Sequence, residues 1–272
     1  MPRLQRPDGA EINFEQHGSG PLVVLASYWS THPSVFEPVT SVLEGDHRVV
    51  RYDDRGAGDS TRAGPYDLDT AAADLEALID HLGEPVTIVS TADGSNRAVR
   101  VGARRPEIVD GIVAVGGVPL GREALGDSDS LVASDVVVRT LLQQVDTDYR
   151  GVLRSLLTAT NPQMDEAELR ERVAAQVAHA PAEAAAARLH AFAADEPVSY
   201  SLACGSRVWV LVADRLGGDW FPRGAEMARV VERSLPEARV VEVDDGLASR
   251  PDQTAEVVRR ITAARRASAV EN

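Results

Sequence analysis

Residues 86–109 read VTIVSTADGSNRAVRVGARRPEIV, and this stretch decides the fold of the chain. The run VTIVS is rich in β-branched residues and predicts a buried strand. A tight turn follows at TADG, and the segment after it is typical of a helix. A strand, a turn and a helix in direct succession place Ala92 at the apex of the turn.

Length and charge limit the possible partners. The chain has 272 residues, enough for one large α/β domain or one domain with an inserted lid. Its net charge of −14 argues against nucleic acid, because phosphate binding requires clustered Lys and Arg. The same charge disfavours an anionic membrane surface.

The sequence predicts a cytoplasmic protein. The first residues, MPRLQRPDGAEINF, contain no apolar stretch typical of a signal peptide. No run approaches the roughly 18 apolar residues of a membrane span. The single cysteine, Cys204, excludes an intrachain disulfide and is predicted to be a small buried thiol.

Short β-rich runs alternate with longer helical ones along most of the chain. Six strands are predicted, at residues 21–27, 47–53, 86–90, 111–117, 207–213 and 238–244. Helices are predicted at residues 68–83, where Gly83 ends the helix, and at residues 253–266. Continuous Val, Ile and Leu strands separated by helices indicate a parallel sheet covered on both faces.

The pattern changes between residues 120 and 204, where strand signals vanish. Four helices are predicted there, at residues 134–145, 149–159, 165–180 and 181–194, the third with Asp165 as its N-cap. We interpret this insert as a cap over the carboxyl ends of the strands, where such sheets bind ligands. A packed helical subdomain without a gating role is the alternative. The predicted division is a core of residues 1–119 and 205–272 and a cap of residues 120–204.

A second motif, RYDDRGAGDS at residues 51–60, resembles the yDxRGxGxS loop of the α/β-hydrolase superfamily. Together with the turn, it makes nearly the whole chain similar to capped members of the esterase-like, haloperoxidase-like and epoxide-hydrolase-like kinds. The resemblance implies an α/β fold with a mostly parallel central sheet, flanking helices and a helical cap. It also implies structural roles for Asp53 and Arg55 and tight turns at Gly56 and Gly58.

The turn departs from the family at its most important position. The family pattern is small-x-nucleophile-x-Gly, and the Arg-Pro-Glu turn at residues 105–107 fixes the register. Ser90 and Gly94 then occupy the outer positions, and Ala92 occupies that of the nucleophile. Alanine has no lone pair, so no acyl or ester intermediate can form on it. A register shifted by one residue, with Asp93 as nucleophile, remains an alternative.

The other catalytic landmarks are also altered. The family's His-Gly pair after the first core strand is replaced by Ala26 and Ser27, and the resemblance implies oxyanion-binding backbone amides at Tyr28 and Asp93.

The acid and the base of the triad come from the last two strands of the family pattern. Strict spacing puts Leu216 at the acid position, whereas a three-residue insertion puts Asp219 there, which we prefer. Leu247 follows Gly246 where the family has histidine, and no histidine lies after His190. The usual general base is therefore absent.

The remaining candidates define a pocket under the cap. Asp93, Asp219 and His32 are candidate acids or bases, and His190 could point into the pocket from the cap. The predicted pocket walls are Tyr28, Trp29, Ala92, Trp220, Phe221 and Leu247. Such walls suit an apolar or aromatic small molecule. No His, Asp and Glu cluster has metal spacing, and we predict neither a metal nor a cofactor.

Three functions remain open. The preferred one is a non-hydrolytic enzyme of the cyclase, lyase or isomerase type. The second is a pseudoenzyme that binds a ligand or partner. The third is a hydrolase that uses Asp93 as a relocated nucleophile.

Overall fold

The central sheet has eight strands. The computed structural model describes residues 2–29, 31–116, 119–121, 124, 139–161, 163–213, 224–243 and 251–270. The strands are β1 (Arg3–Gln5), β2 (Glu11–His17), β3 (Leu22–Ala26), β4 (Arg48–Tyr52), β5 (Val86–Ser90), β6 (Val109–Val115), β7 (Val208–Ala213) and β8 (Arg239–Val243). Their order is β1-β2-β4-β3-β5-β6-β7-β8. The first two strands pair antiparallel, and β3 to β8 are parallel.

Helices cover both faces of this sheet. They are α1 (Glu37–Leu43), α2 (Leu68–Leu82), α3 (Asp93–Arg104), α4 (Tyr149–Thr160), α5 (Glu166–His179), α6 (Ala182–Ala193), α7 (Val198–Cys204), α8 (Gly224–Ser234) and α9 (Pro251–Val270). One hydrophobic cluster joins the sheet to α2, α3 and α8, and a second joins it to α1 and α9. Successive residues of β5, Ile88 and Val89, belong to opposite clusters, as the pleat requires.

All six predicted strands are present, and two others were missed. β1 has only three residues, and β2 reads EINFEQH with partly exposed residues at both of its ends. Both lie at the edge of the sheet, so they lack the continuous apolar run that marks the buried parallel strands.

Two predicted helix boundaries, at Gly83 and Asp165, are confirmed, whereas the last helix, predicted at residues 253–266, extends from Pro251 to Val270. Gly83 ends α2 with a left-handed backbone at φ 70°. The Asp165 side chain accepts hydrogen bonds from the amides of Ala167 and Glu168 at the start of α5.

Helices α4 to α7 lie between β6 and β7. Side chains of residues 139–145 and of α4, α5 and α6 form a third hydrophobic cluster, which also contains Trp29 from the loop after β3. Residues 139–145 are helical, while the first part of the predicted helix at 134–145 lies outside the described residues. The short helix α7 was not predicted. The functional division into core and cap stays a prediction.

Two smaller features complete the fold. Among the described helices, none has the length and apolar character needed to cross a bilayer. Cys204 is buried, and burial raises the pKa of its thiol to about 11. This is the environment of an inert structural thiol.

Candidate functional site

The turn after β5 has a strained apex. Ala92 has φ 45° and ψ −122°, a region that side-chain-bearing residues rarely adopt. Two residues on, an added Cβ at Gly94 would lie 2.3 Å from the Ala26 carbonyl oxygen and 2.8 Å from that of Ser27. The turn therefore packs directly on the end of β3, and only glycine fits at residue 94.

The loop after β3 lies beside this turn because Ala26 and Ser90 are register partners at the ends of β3 and β5. The backbone N–H of Trp29 donates a hydrogen bond of 2.5 Å to the Asp93 carboxylate. Within the described chain, the amides of Tyr28 and Asp93 have no hydrogen-bond partner. Near the apex, two backbone donors therefore have no acceptor among the described residues.

Asp93 is enclosed rather than open to a ligand. Its side chain is 1 % exposed, and its Oδ2 lies 3.5 Å from Nη2 of Arg97. Burial raises the pKa of this carboxyl group, and the charges of Arg97 and Arg188 oppose that rise. No histidine contacts it among the described residues.

Arg97 links the turn to two neighbouring loops. Its guanidinium donates to the Asp54 carboxylate, to the Ser27 carbonyl oxygen and, at 3.3 Å, to the Tyr52 hydroxyl. The side chain has no solvent exposure. These bonds form a rigid charged network of Arg97, Asp54, Tyr52 and Asp93, which we call the floor of the site.

Arg188 of α6 lies near this floor and was missed from the sequence. It is 1 % exposed, and its Nε and Nη1 atoms have no hydrogen-bond partner. The indole Nε1 of Trp29 donates to the carbonyl oxygen of Ala185, so α6 lies against the loop after β3. Ala185, Arg188 and Leu189 share one buried face of α6, and that periodicity is the signal that could have identified Arg188.

The two histidine candidates lie elsewhere. His190, two residues after Arg188, has a side chain that is 47 % exposed and lies 3.0 Å from Asp146. His32 is exposed, and its ring centroid lies 4.8 Å from that of His179. Neither arrangement brings a histidine to the Ala92 turn.

His32 and His179 border a polar groove of about 390 Å³ between α5 and the strand pair β2 and β4. Asp53 lies in its wall, where its carboxylate accepts bonds from Asn13 Nδ2 and from the Asp59 amide. Neither Ala92 nor Asp93 lines this groove. Among the residues that the structure describes, no group of three or more His, Cys, Asp or Glu could hold a metal ion.

The aromatic residues of the predicted pocket are only partly described. Trp29 is 6 % exposed and packs edge-to-face on Tyr149, with ring centroids 5.7 Å apart. Tyr28 is partly buried against the same cluster. The other predicted site residues, Leu216, Asp219, Trp220, Phe221 and Leu247, lie outside the described residues.

Comparison with known proteins identifies the fold. A solved E-2-(acetamidomethylene)succinate hydrolase matches 96% of this chain and 98% of its own, with a TM-score of 0.72 at 19% identity. An esterase from Exiguobacterium antarcticum matches 96% of this chain and 98% of its own, with a TM-score of 0.76 at 19% identity. The chain has the α/β-hydrolase fold. The similar curated and solved proteins belong to the α/β-hydrolase superfamily.

Sequence similarity to curated α/β-hydrolases is confined to part of the chain. A putative carbamate hydrolase of Caulobacter segnis is 32% identical over 114 residues, which are 39% of this chain and 43% of that protein. The chain therefore spans less than half the length of this relative. No protein-family model matches the sequence.

Proposed function

We propose that this chain binds a small molecule between the Ala92 turn and helices α4 to α6, and that it forms no covalent intermediate at the turn. The observation that carries the proposal is the positive φ of Ala92 at the apex. Such strain is typical of the turn that exposes a nucleophile in this fold. A methyl group at that position offers no lone pair to a carbonyl carbon.

Asp93 is a poor replacement for the missing nucleophile. Its carboxylate is enclosed, accepts the Trp29 amide and lies beside Arg97. An attacking carboxylate must reach a ligand atom, whereas this one is 1 % exposed. The geometry supports a positioning role for Asp93 in the loop after β3.

The free amides of Tyr28 and Asp93 support non-hydrolytic chemistry. Backbone donors near a pocket stabilise negative charge that develops on a ligand oxygen. Cyclase, lyase and isomerase reactions can proceed through such enolate-like species with substrate orientation and one acid or base. Asp219 remains the predicted acid or base.

A ligand-binding module without catalysis is the second candidate. It is favoured because neither described acid or base can reach a ligand at the Ala92 turn. Asp93 is enclosed, and His32 lies in the polar groove. If Asp219 is also out of reach, the site holds a molecule without changing it. Trp29 and Tyr28 supply apolar surface for such a ligand.

A panel of p-nitrophenyl esters tests the proposal. The wild type is compared with Ala92→Ser, with the double variant Ala92→Ser Leu247→His, and with Ala174→Ser, which adds a hydroxyl on an exposed position of α5. We expect ester cleavage at the uncatalysed rate in the wild type and Ala174→Ser, and faster cleavage in the double variant. Wild-type turnover that disappears in a folded Asp93→Asn protein would instead establish Asp93 as the nucleophile.

A further inference from the structure

Arg188 is a buried cation that forms no ion pair with any residue that the structure describes. Within the described chain no carboxylate oxygen lies within 4.0 Å of it, and two of its guanidinium nitrogens have no hydrogen-bond partner. Arg97, which is equally buried, donates to Asp54 and to a backbone carbonyl. Burial of an unpaired guanidinium is unfavourable, so its retention calls for a partner that the described residues do not supply.

The position of Arg188 places this charge over the candidate site. In the preceding turn of α6, the carbonyl oxygen of Ala185 accepts a hydrogen bond from the Trp29 indole N–H. Arg188 lies three residues further, on the same side of the helix. Its charge acts on both Asp93 and Tyr52, which belong to the floor beside the turn.

The two nearby carboxylates are already engaged with Arg97. Asp54 receives one of its hydrogen bonds, and Asp93 lies 3.5 Å from it. Burial also raises the pKa of Asp93, and the charges of Arg97 and Arg188 oppose that rise. Among the described residues near the turn, Arg188 is therefore the charge that has no counter-ion of its own.

We propose that Arg188 binds a carboxylate group of the small molecule held under α6. The planar guanidinium matches a carboxylate with two parallel hydrogen bonds, which makes arginine the preferred residue for this anion. Trp29 and Tyr149 supply apolar surface for the rest of the ligand. The inference rests on the proposed small-molecule site and names the class of its ligand as organic carboxylates.

Binding requires a local rearrangement. The two unpaired nitrogens of Arg188 have almost no accessible surface in the ligand-free protein. The guanidinium must therefore turn toward the incoming carboxylate, or α6 must shift on the loop after β3. The second movement would break or strain the hydrogen bond from the Trp29 indole to the carbonyl oxygen of Ala185.

Calorimetric titration of the full chain tests this inference. The probes are benzoate, phenylacetate and succinate, with benzamide as the neutral counterpart and inorganic phosphate as a second anion. The variants are Arg188→Met, Arg188→Lys and Arg154→Met, the last of which removes an exposed arginine that pairs with Glu166 on the surface. Arg154→Met removes one positive charge from the surface of α4. It therefore shows whether an effect of Arg188→Met comes from residue 188 itself or only from the lower net charge.

We expect the wild type and Arg154→Met to bind at least one carboxylate with equal affinity, and benzamide about tenfold more weakly. Arg188→Met should lose about tenfold or more in carboxylate affinity. Arg188→Lys should lose about threefold to tenfold, because lysine keeps the positive charge without the two parallel N–H donors of a guanidinium. If Arg188→Met does not fold, Arg188→Lys decides the question. The inference is overturned by unchanged affinity in the variants, by no carboxylate binding, or by binding of phosphate alone.

The outcomes separate this inference from the proposed function. A covalent adduct between a fluorophosphonate and the turn of the wild type would contradict the proposed function. A carboxylate affinity that depends on Arg188 would still stand in that case. A wild type without an adduct and without carboxylate affinity contradicts only the assignment of Arg188.

Discussion

The carboxylate of Asp93 accepts a hydrogen bond from the backbone N–H of Trp29, which joins the turn after β5 to the loop after β3. Trp29 itself has φ 43°, a backbone conformation that costs about 1 to 3 kcal/mol in a residue other than glycine. Arg97 holds the same loop through the Ser27 carbonyl oxygen. A buried charged network thus fixes the loop and the free amide of Tyr28.

Removal of the Asp93 side chain should destabilise the fold strongly. Asp93→Ala leaves the Trp29 amide and part of the charge of Arg97 uncompensated in the interior. We expect a loss of about 3 to 5 kcal/mol in the free energy of unfolding, measured by urea denaturation. Asp93→Asn keeps an acceptor for the Trp29 amide and should cost less.

Asp59→Asn is the matched control for Asp93, because Asp59 is an exposed carboxylate. It should change the free energy of unfolding by less than about 0.5 kcal/mol. Equal effects of Asp93→Ala and Asp59→Asn would show that the Asp93 network does not hold the loop.

Replacement of Ala92 by glycine should relieve backbone strain. Glycine adopts φ 45° without the steric cost that alanine meets, so Ala92→Gly should raise the free energy of unfolding by about 1 kcal/mol. Ala174→Gly, on the exposed side of α5, should lower it by about 1 kcal/mol. Destabilisation by both substitutions would mean that the turn is unstrained at residue 92.

Gly94 should tolerate no side chain. A Cβ there would meet backbone oxygen at 2.3 Å, and backbone cannot move aside as a flexible side chain can. We expect Gly94→Ala to cost about 3 kcal/mol or more, or to prevent folding. Gly45→Ala, where an added Cβ has nothing within 4 Å, should be tolerated. Similar stability of the two variants would contradict the close packing of the turn on β3.

Patterns confined to one element predicted most of the fold. The buried strands have unbroken apolar runs, and the turn after β5 has its own glycine and helix signals. By contrast, Arg188 is conspicuous only once α6 is placed against Trp29, because its burial depends on a contact between distant parts of the chain. His32 looked like a pocket residue from its distance along the sequence, yet its loop carries it to the groove with His179.

His179 should make the stability of the protein depend on pH. Burial lowers its pKa from the ordinary 6.5, while Asp53 opposes the shift and His32 adds to it. The folded state therefore favours neutral His179, and its contribution to stability is present above pH 6.5. That contribution is lost as the pH falls through the lowered pKa of the folded state, because the unfolded chain binds the proton more readily.

Denaturation of wild type and His179→Gln between about pH 8 and pH 5 measures this contribution. The free energy of unfolding of the wild type should fall more steeply on acidification than that of His179→Gln. His190→Gln, on an exposed part of α6, should keep the steeper decline that His179 causes. Parallel curves for wild type and His179→Gln would exclude a depressed pKa at His179.

The turn keeps its strained geometry without a nucleophile at residue 92. Intact-protein mass after exposure to a fluorophosphonate tests it most directly, with the wild type beside Ala92→Ser Leu247→His. We predict an unchanged wild-type mass and one added phosphonyl group in the double variant, mapped to residue 92. A wild-type adduct on a residue of the turn would contradict the account, because it would show that a nucleophile still operates there.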